Sequence, residues 1–248
     1  MLQFNKSIRF YVKMIYDIAE LRIDIRNKLK YTDKFCEKYL SPDQISQTDM
    51  VIEVTDEEFK AEKCNSGEFS DGYIENLCIY RKICNRAPGF DRFLFHCSVV
   101  EHGGNAYAFS GKSGAGKSTH SKLWLKYLPE AKILNGDKPI IGYKNGEFFV
   151  YGTPWQGKEG FGYNGKAKLK SVCFIRQAKF NKISPIAEGE FADAIFSQTL
   201  MPPTADGALK TLELLDKLVK TVPAFVLDCD ISKDAFDTAF EGLTRGDL

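Results

Sequence analysis

The stretch GKSGAGKST, residues 111–119, constrains this chain more than any other. Gly111, four intervening residues, then Gly116, Lys117 and Ser118 fit the phosphate-binding loop in full, with Thr119 behind them. Each residue type has a physical task. Gly111, Gly114 and Gly116 admit backbone conformations that side chains forbid, so the N–H groups of the loop, including those of Lys112, Ser113 and Ala115, can converge on an anion. Lys117 reaches the outer phosphates, and the Ser118 hydroxyl stands where it can ligate Mg²⁺, at the start of a helix whose dipole favours negative charge. The flanks agree. NAYAF before the loop alternates small and large apolar residues like a buried strand, and SKLWLKYL after it sets Leu123, Trp124, Tyr127 and Leu128 on one helical face. A surface turn that happens to be rich in glycine and lysine has no need of that frame.

The order of the other elements restricts the fold around the loop. Residues 7–16 and 21–26 both alternate, the first with Ile8, Phe10, Val12 and Met14 on one face, and predict a hairpin. YTDKFCEKYL predicts a helix, MVIEVT a strand, and YIENLCIYRKIC a second helix with Ile74, Leu77, Cys78 and Ile83 on its apolar face. FLFHCSVVEHGGNAYAFSG reads as two strands joined at Gly103–Gly104, the second running into the phosphate loop. Beyond the loop's helix, AKILNGDKPIIGYKNGEFFVYG supplies a strand, a polar break and a hairpin around Asn145–Gly146. The tail predicts a helix with a Leu209, Leu212, Leu215 and Val219 stripe, a strand over AFVLDC, and a last helix capped by Ser232. A doubly wound nucleotide domain alternates strand and helix so that its sheet is parallel. Here hairpins flank the loop on both sides, so the expected class is α/β with a mixed, largely antiparallel sheet.

The formal net charge of +1 gives no support for a nucleic-acid or anionic-membrane partner. Seven cysteines are scattered without a C-x-x-C pair, an odd count that suits reduced, buried thiols. The first residues interrupt their apolar side chains with Lys6, Arg9, Lys13 and Asp17, which is neither a signal-peptide core nor a membrane span. The expected location is the cytoplasm.

Phosphoryl transfer needs a cradle, a divalent cation and a group that orients or deprotonates the acceptor. Asp137 follows an apolar run one helix after Lys117, where a carboxylate can meet Mg²⁺ or the attacking group, although NGD is also Asx-turn chemistry. His96 precedes the loop strand and is a candidate for the phosphate neighbourhood, or a packed histidine. His102 and His120 read as turn and helix-surface residues, and no metal-ligand spacing joins histidines to cysteines. The segment GTPWQGKEGFGYNGKAKLK combines five glycines with Trp155 and four lysines. Thr153 to Lys158 read as a lid whose Lys158 closes on phosphate or acceptor, and the later lysines as the wet face of an edge strand.

On FHCSVVEHGGNAYAFSGKSGAGKSTH, ILNGDKPIIG and YGTPWQGKEG, the chain resembles the HPr kinase/phosphorylase-like group, over roughly residues 90–240. The catalytic domain of that group shares its phosphate-loop fold with phosphoenolpyruvate carboxykinases. The resemblance implies a kinase core over 91–248 with an N-terminal α+β extension over 1–90 packed on it. It implies that residues 111–119 bind ATP with Mg²⁺ on Ser118, and it maps a histidine of the group on His96 and an acidic pair on Gly136 and Asp137. Together with the reading of the residues above, Ser118 and Asp137 are the candidates to hold Mg²⁺, and His96, Lys117, Asp137 and Lys158 those to act on the phosphoryl group. The group usually shows two adjacent acids where this chain has Gly136 and Asp137. Its N-terminal ninety residues do not resemble the regulatory domain of the bifunctional enzyme, so HPr is a poor acceptor candidate. The implied activity is transfer of the γ-phosphoryl group to a serine-like hydroxyl of a small molecule or peptide, in a chain that could form a homo-oligomer. A carboxykinase-like lyase and a nucleotide-binding module without turnover stand as alternatives, the second because of Gly136.

Overall fold

The computed structural model describes residues 12–244. The chain divides into two compact units, Met1–Ile83 and Cys84–Leu248.

In the first unit, β1 (Val12–Ile18) and β2 (Leu21–Asn27) form the expected hairpin. Its turn is tighter than the polar break suggested: Ala19 and Glu20 have φ of 56° and 59°, the doubly left-handed pair of a two-residue turn that matches strand twist. Ile8 and Phe10 lie outside the described residues. β3 (Met50–Glu53) adds to β2 in parallel. The predicted helix over 31–40 breaks into α1 (Tyr31–Phe35) and a single 3₁₀ turn, Glu37–Tyr39. The sequence pattern missed α2 (Asp56–Ser66), which buries no residue and therefore carries no apolar stripe. A reciprocal cap holds its start: Thr55 accepts from the Glu58 N–H, and Glu58 accepts from the Thr55 N–H. α3 (Asp71–Arg86) covers the predicted second helix.

The second unit is built on β4 (Arg92–Leu94), β5 (Cys97–His102), β6 (Asn105–Ser110), β7 (Lys132–Asn135), β8 (Ile140–Lys144), β9 (Glu147–Tyr151), β10 (Lys166–Gln177), β11 (Lys182–Pro185) and β12 (Ala224–Cys229). The order is β4-β8-β9-β10-β6-β5-β7, with β12 also on β10 and β11 on β12. β10 runs parallel to β6 and β12, and the remaining pairings are antiparallel. The mixed, mostly antiparallel class read from the hairpins is the class observed. The Asn145–Gly146 turn has both residues at positive φ, 54° and 85°.

The structure corrects several local expectations. FLFHC is not one strand: it breaks at Phe95–His96, so β4 pairs with β8 and β5 with β6. β10 is no edge strand. It pairs with β6 along one side, and with β9 and then β12 along the other, around a register shift between Leu169 and Ser171. Lys166 and Lys168 nevertheless face water, because they occupy its outward positions.

Helices cover both faces of the sheet. β6 shows why NAYAF alternates in size. Ala106 and Ala108 meet the face packed by α5 (Glu188–Gln198) and α6 (Ala205–Thr221), whereas Tyr107 and Phe109 meet that packed by α4 (Lys117–Tyr127) and α7 (Lys233–Thr244). Trp124 is fully buried among Tyr107, Phe109 and Phe236, and truncating such a residue costs about 3–5 kcal/mol. On α6 the core takes Thr211, Leu214, Leu215 and Leu218, the i, i+3, i+4, i+7 set, so Leu209 and Leu212 of the expected stripe are exposed. Ser232 caps α7 as expected, accepting from the Ala235 N–H. No described helix is long and apolar enough to cross a membrane.

Candidate functional site

Strand directions gather the site at one end of the sheet. β6 ends at Ser110 opposite Cys97, where antiparallel β5 begins just after His96, and β7 ends at Asn135 opposite Val99. His96 thus stands between the loop after β6 and the turn that carries Asp137.

Gly111, Gly114 and Gly116 have φ of 144°, 79° and 103°, so each glycine of the motif holds a conformation that side chains resist. At Gly111 a Cβ would also come within 3.1 Å of the Ile175 carbonyl oxygen. α4 starts at Lys117, directly behind. The Lys117 ammonium folds back into the loop, donating to the carbonyls of Gly111 (3.0 Å) and Lys112 (3.3 Å). Burial lowers its pKa, against the pull of the Asp137 charge.

Asp137 sits on an Asx turn and beside the loop at once, so its two sequence readings are compatible. The Asn135 Oδ1 accepts from the backbone N–H of Asp137 (2.9 Å) and of Lys138 (2.8 Å). The amide nitrogen of Asn135 is anchored in turn by Thr153, whose hydroxyl donates to the Lys138 carbonyl at 2.7 Å. Thr153 is buried and serves as the strut of this turn rather than as part of a moving lid. The Asp137 carboxylate meets His96 Nε2 at 3.1 Å through Oδ1 and the Lys138 ammonium at 2.6 Å through Oδ2. Burial alone would raise this carboxyl; hydrogen bonds and charge from His96 and Lys138 outweigh it and hold the group at about 2. His96 is fixed from behind as well, with Nδ1 3.2 Å from Gln198 Oε1.

Lys117, Ser118, His96, Asp137 and Lys158 line one cleft of ≈ 370 Å³. The fourth wall is residues 156–161, which dock against the β7 end: Gly136 N–H donates to the Phe161 carbonyl (2.9 Å) and Tyr163 N–H to that of Leu134 (3.3 Å). At the tip Glu159 pairs with Lys122 at 2.7 Å, while Trp155 is buried below. Lys158 is exposed. This docking leaves position 136 no room for a side chain. A Cβ on Gly136 would lie 2.9 Å from the Gln156 carbonyl oxygen and 3.3 Å from that of Phe161. The lid backbone occupies the space that a side chain at position 136 would need.

Other sequence-derived residues fall outside the cleft. Thr119 lines a separate hollow of ≈ 250 Å³ behind the loop, and Lys112 and Ala115 line a larger one in front. His120 is not on the helix surface: it is buried against Phe109 and accepts from Trp124 Nε1 at 3.2 Å, and burial lowers its pKa to about 4. Sequence reasoning missed Asn135, Lys138 and Gln198. A lysine after an Asx turn is unremarkable in a sequence, and Gln198 is 102 residues from its partner on a helix that was not foreseen.

No family model matches the sequence. No curated protein matches it either. Among solved structures, the chain is similar to the HPr(Ser) kinase/phosphatase from Coxiella burnetii, with 10% identity over 62% of this chain and 88% of that one, at a TM-score of 0.37. The likeness is one of distant fold, and the roles assigned below rest on the geometry of the cleft instead.

Proposed function

We propose that the protein is an ATP- and Mg²⁺-dependent kinase that phosphorylates a hydroxyl group. The carrying observation is convergence: the Lys117 ammonium, the Ser118 hydroxyl and the His96–Asp137 pair share one cleft at the mouth of a left-handed glycine loop. The loop N–H groups hold the phosphates, and Lys117 leaves its two carbonyl acceptors to meet the outer ones.

The all-oxygen pair of Ser118 and Asp137 suits Mg²⁺, and the Lys138 ammonium on Asp137 Oδ2 supports reading this oxygen as a partner for a cation. Bound there, Mg²⁺ would neutralise phosphate charge. In the transfer, the acceptor oxygen bonds to the γ-phosphorus while the bond from phosphorus to the bridging oxygen breaks. ADP leaves with the electron pair, and the hydroxyl proton passes to the His96–Asp137 pair. Positioning and charge supply most of the acceleration. Lys158 lies where it can meet the transferring group. Seven free thiols suit a reducing compartment, and we place the enzyme in the cytoplasm.

The test is calorimetry of Mg-ATP binding with Lys117→Ala. Loss of one charged contact predicts roughly 10–150-fold weaker binding, from about 1.5–3 kcal/mol. Equal affinity in both proteins would refute the site. A binding module without turnover is the second reading, favoured by the single carboxylate that Gly136 leaves; labelled ATP with a panel of hydroxyl compounds separates the two.

A further inference from the structure

We propose that Gln177 is a positioning residue for the phosphate loop: its side-chain amide holds the Gly114 carbonyl outwards and keeps the loop in shape for an anion while Lys117 turns to the phosphates. The inference rests on the kinase reading. β10 runs parallel to β6, with Phe174 opposite Ser110, so the two strands end side by side where the loop begins. Side chains alternate along a strand. Cys173 and Ile175 pack into the cluster that contains Trp124 of α4, so Gln177, two positions on, points to the side of the loop and of α4. The strand end meets the loop at Gly111 and again at Gly114. A Cβ on Gly111 would come within 3.1 Å of the Ile175 carbonyl oxygen, and Gln177 Nε2 donates to the Gly114 carbonyl oxygen at 2.9 Å. A carbonyl oxygen only accepts, so the NH₂ end of the amide is the end that faces it.

In a trans peptide unit the C=O and the N–H point to opposite sides, so a tied carbonyl also sets the direction of the N–H that follows it. Side chains tie several of the loop's carbonyls. Lys117 holds those of Gly111 and Lys112, and Gln177 holds that of Gly114. In the kinase reading the first two ties end when the ammonium moves to the outer phosphates. Gln177 stands outside the motif, so its tie remains. Gly114 is where a tie is needed: it has φ of 79°, and no described atom lies within 4 Å of where its Cβ would stand, so packing does not fix this peptide unit. The Ala115 N–H of the same unit donates to the Lys112 carbonyl at 3.0 Å, a carbonyl that Lys117 also holds. Ala115, Ile175 and Gln177 line both hollows beside the loop, which places the contact on the boundary between them. Gln177 is exposed, so its bond competes with water and its effect is that of one ordinary hydrogen bond.

The experiment compares the full chain with Gln177→Met, an uncharged side chain of similar length without a donor, and with Gln177→Lys, which keeps a donor within reach of Gly114. Hydrogen exchange is followed at the Ala115 amide without nucleotide. Mg-ATP affinity is measured by calorimetry at about 0.3 M salt, where the added lysine charge is screened. Loss of the bond in Gln177→Met is expected to quicken Ala115 exchange and to weaken Mg-ATP binding by roughly 2–12-fold each, with Gln177→Lys staying within about twofold of the wild type. Thermal melting should be alike in all three, because the side chain is exposed. A lower melting midpoint with wild-type affinity in Gln177→Met would make the contact structural only and overturn the positioning role. Unchanged affinity with faster exchange, or a loss that Gln177→Lys fails to restore, would overturn it as well, and each of these outcomes leaves the kinase reading standing. Absence of Mg-ATP binding in the wild type would overturn the kinase reading, and this inference with it.

Discussion

Gly136→Ala perturbs the lid through backbone contact alone. The added Cβ would stand 2.9 Å from the Gln156 carbonyl oxygen and 3.3 Å from that of Phe161. Both neighbours are main-chain atoms, which cannot rotate away as the end of a side chain can. Segment 156–161 must therefore retreat, and with it go the hydrogen bonds from Gly136 N–H to Phe161 (2.9 Å) and from Tyr163 N–H to Leu134 (3.3 Å). Two such bonds contribute about 1–3 kcal/mol net, at about 0.5–1.5 kcal/mol each. That shifts the balance between docked and undocked lid by roughly 5–150-fold. Hydrogen exchange should quicken at the Gly136 and Tyr163 amides by that factor, and the emission of buried Trp155 should move towards that of a wetter indole. ATP affinity should hold, because the phosphate loop lies on another wall of the cleft. Unchanged exchange at both amides, with unchanged Trp155 emission, would show that segment 156–161 does not dock on Gly136 and would remove the steric account of position 136.

Asp137→Asn should cost on the order of 10²–10³ in turnover through the loss of charge at the transfer site, and normal turnover by steady-state assay would take Asp137 off the catalytic list. Lys158→Ala should lower phosphoryl transfer about tenfold or more while calorimetric ATP affinity stays within about twofold, and equal losses in both would make Lys158 a nucleotide contact instead. Of the seven cysteines only Cys64 is exposed, so a thiol reagent at pH 8 should modify one group in the native protein and all seven after unfolding. Burial raises Cys36, Cys78 and Cys229 to about 12, 11 and 11. These groups stay protonated in the fold after an unfolded thiol, at about 8.5, has ionised. Their contribution is complete below that value and is lost as pH rises towards 11–12, which urea titrations at pH 7 and pH 10 should register as a falling midpoint.

How much was legible follows from the range of the interactions. The loop glycines, the Asn145–Gly146 turn, the Ser232 cap and the size alternation of NAYAF are local or periodic, and each is where the pattern put it. β10 read as an edge because alternating lysines resemble a wet strand, yet its outward positions can be wet while both its edges are paired. α2 left no apolar stripe because it buries nothing, and its one sequence signal, the capping box of Thr55 and Glu58, went unread. The α6 stripe failed by drift: Leu209, Leu212 and Leu215 recur every three residues, and a helix turns in 3.6, so the first two rotate out of the core. The Gln198–His96 bond and the lid over Gly136 are long-range meetings of polar groups, and neither periodicity nor turn chemistry encodes those.

The environment of Asp137 bears on the role it can take in the proposed transfer. A general base works best with a pKa near the working pH, and a group at about 2 with a donor on each oxygen is far from that. The same environment suits an anion that must stay ionised under a cation. His96 stands between this carboxylate and Gln198. In the kinase reading proposed above, charge holding falls to Asp137 and proton handling to His96. Under this division His96→Gln should reduce turnover while sparing Mg-ATP affinity, whereas Asp137→Asn should weaken both. The reverse pattern would return the proton to Asp137.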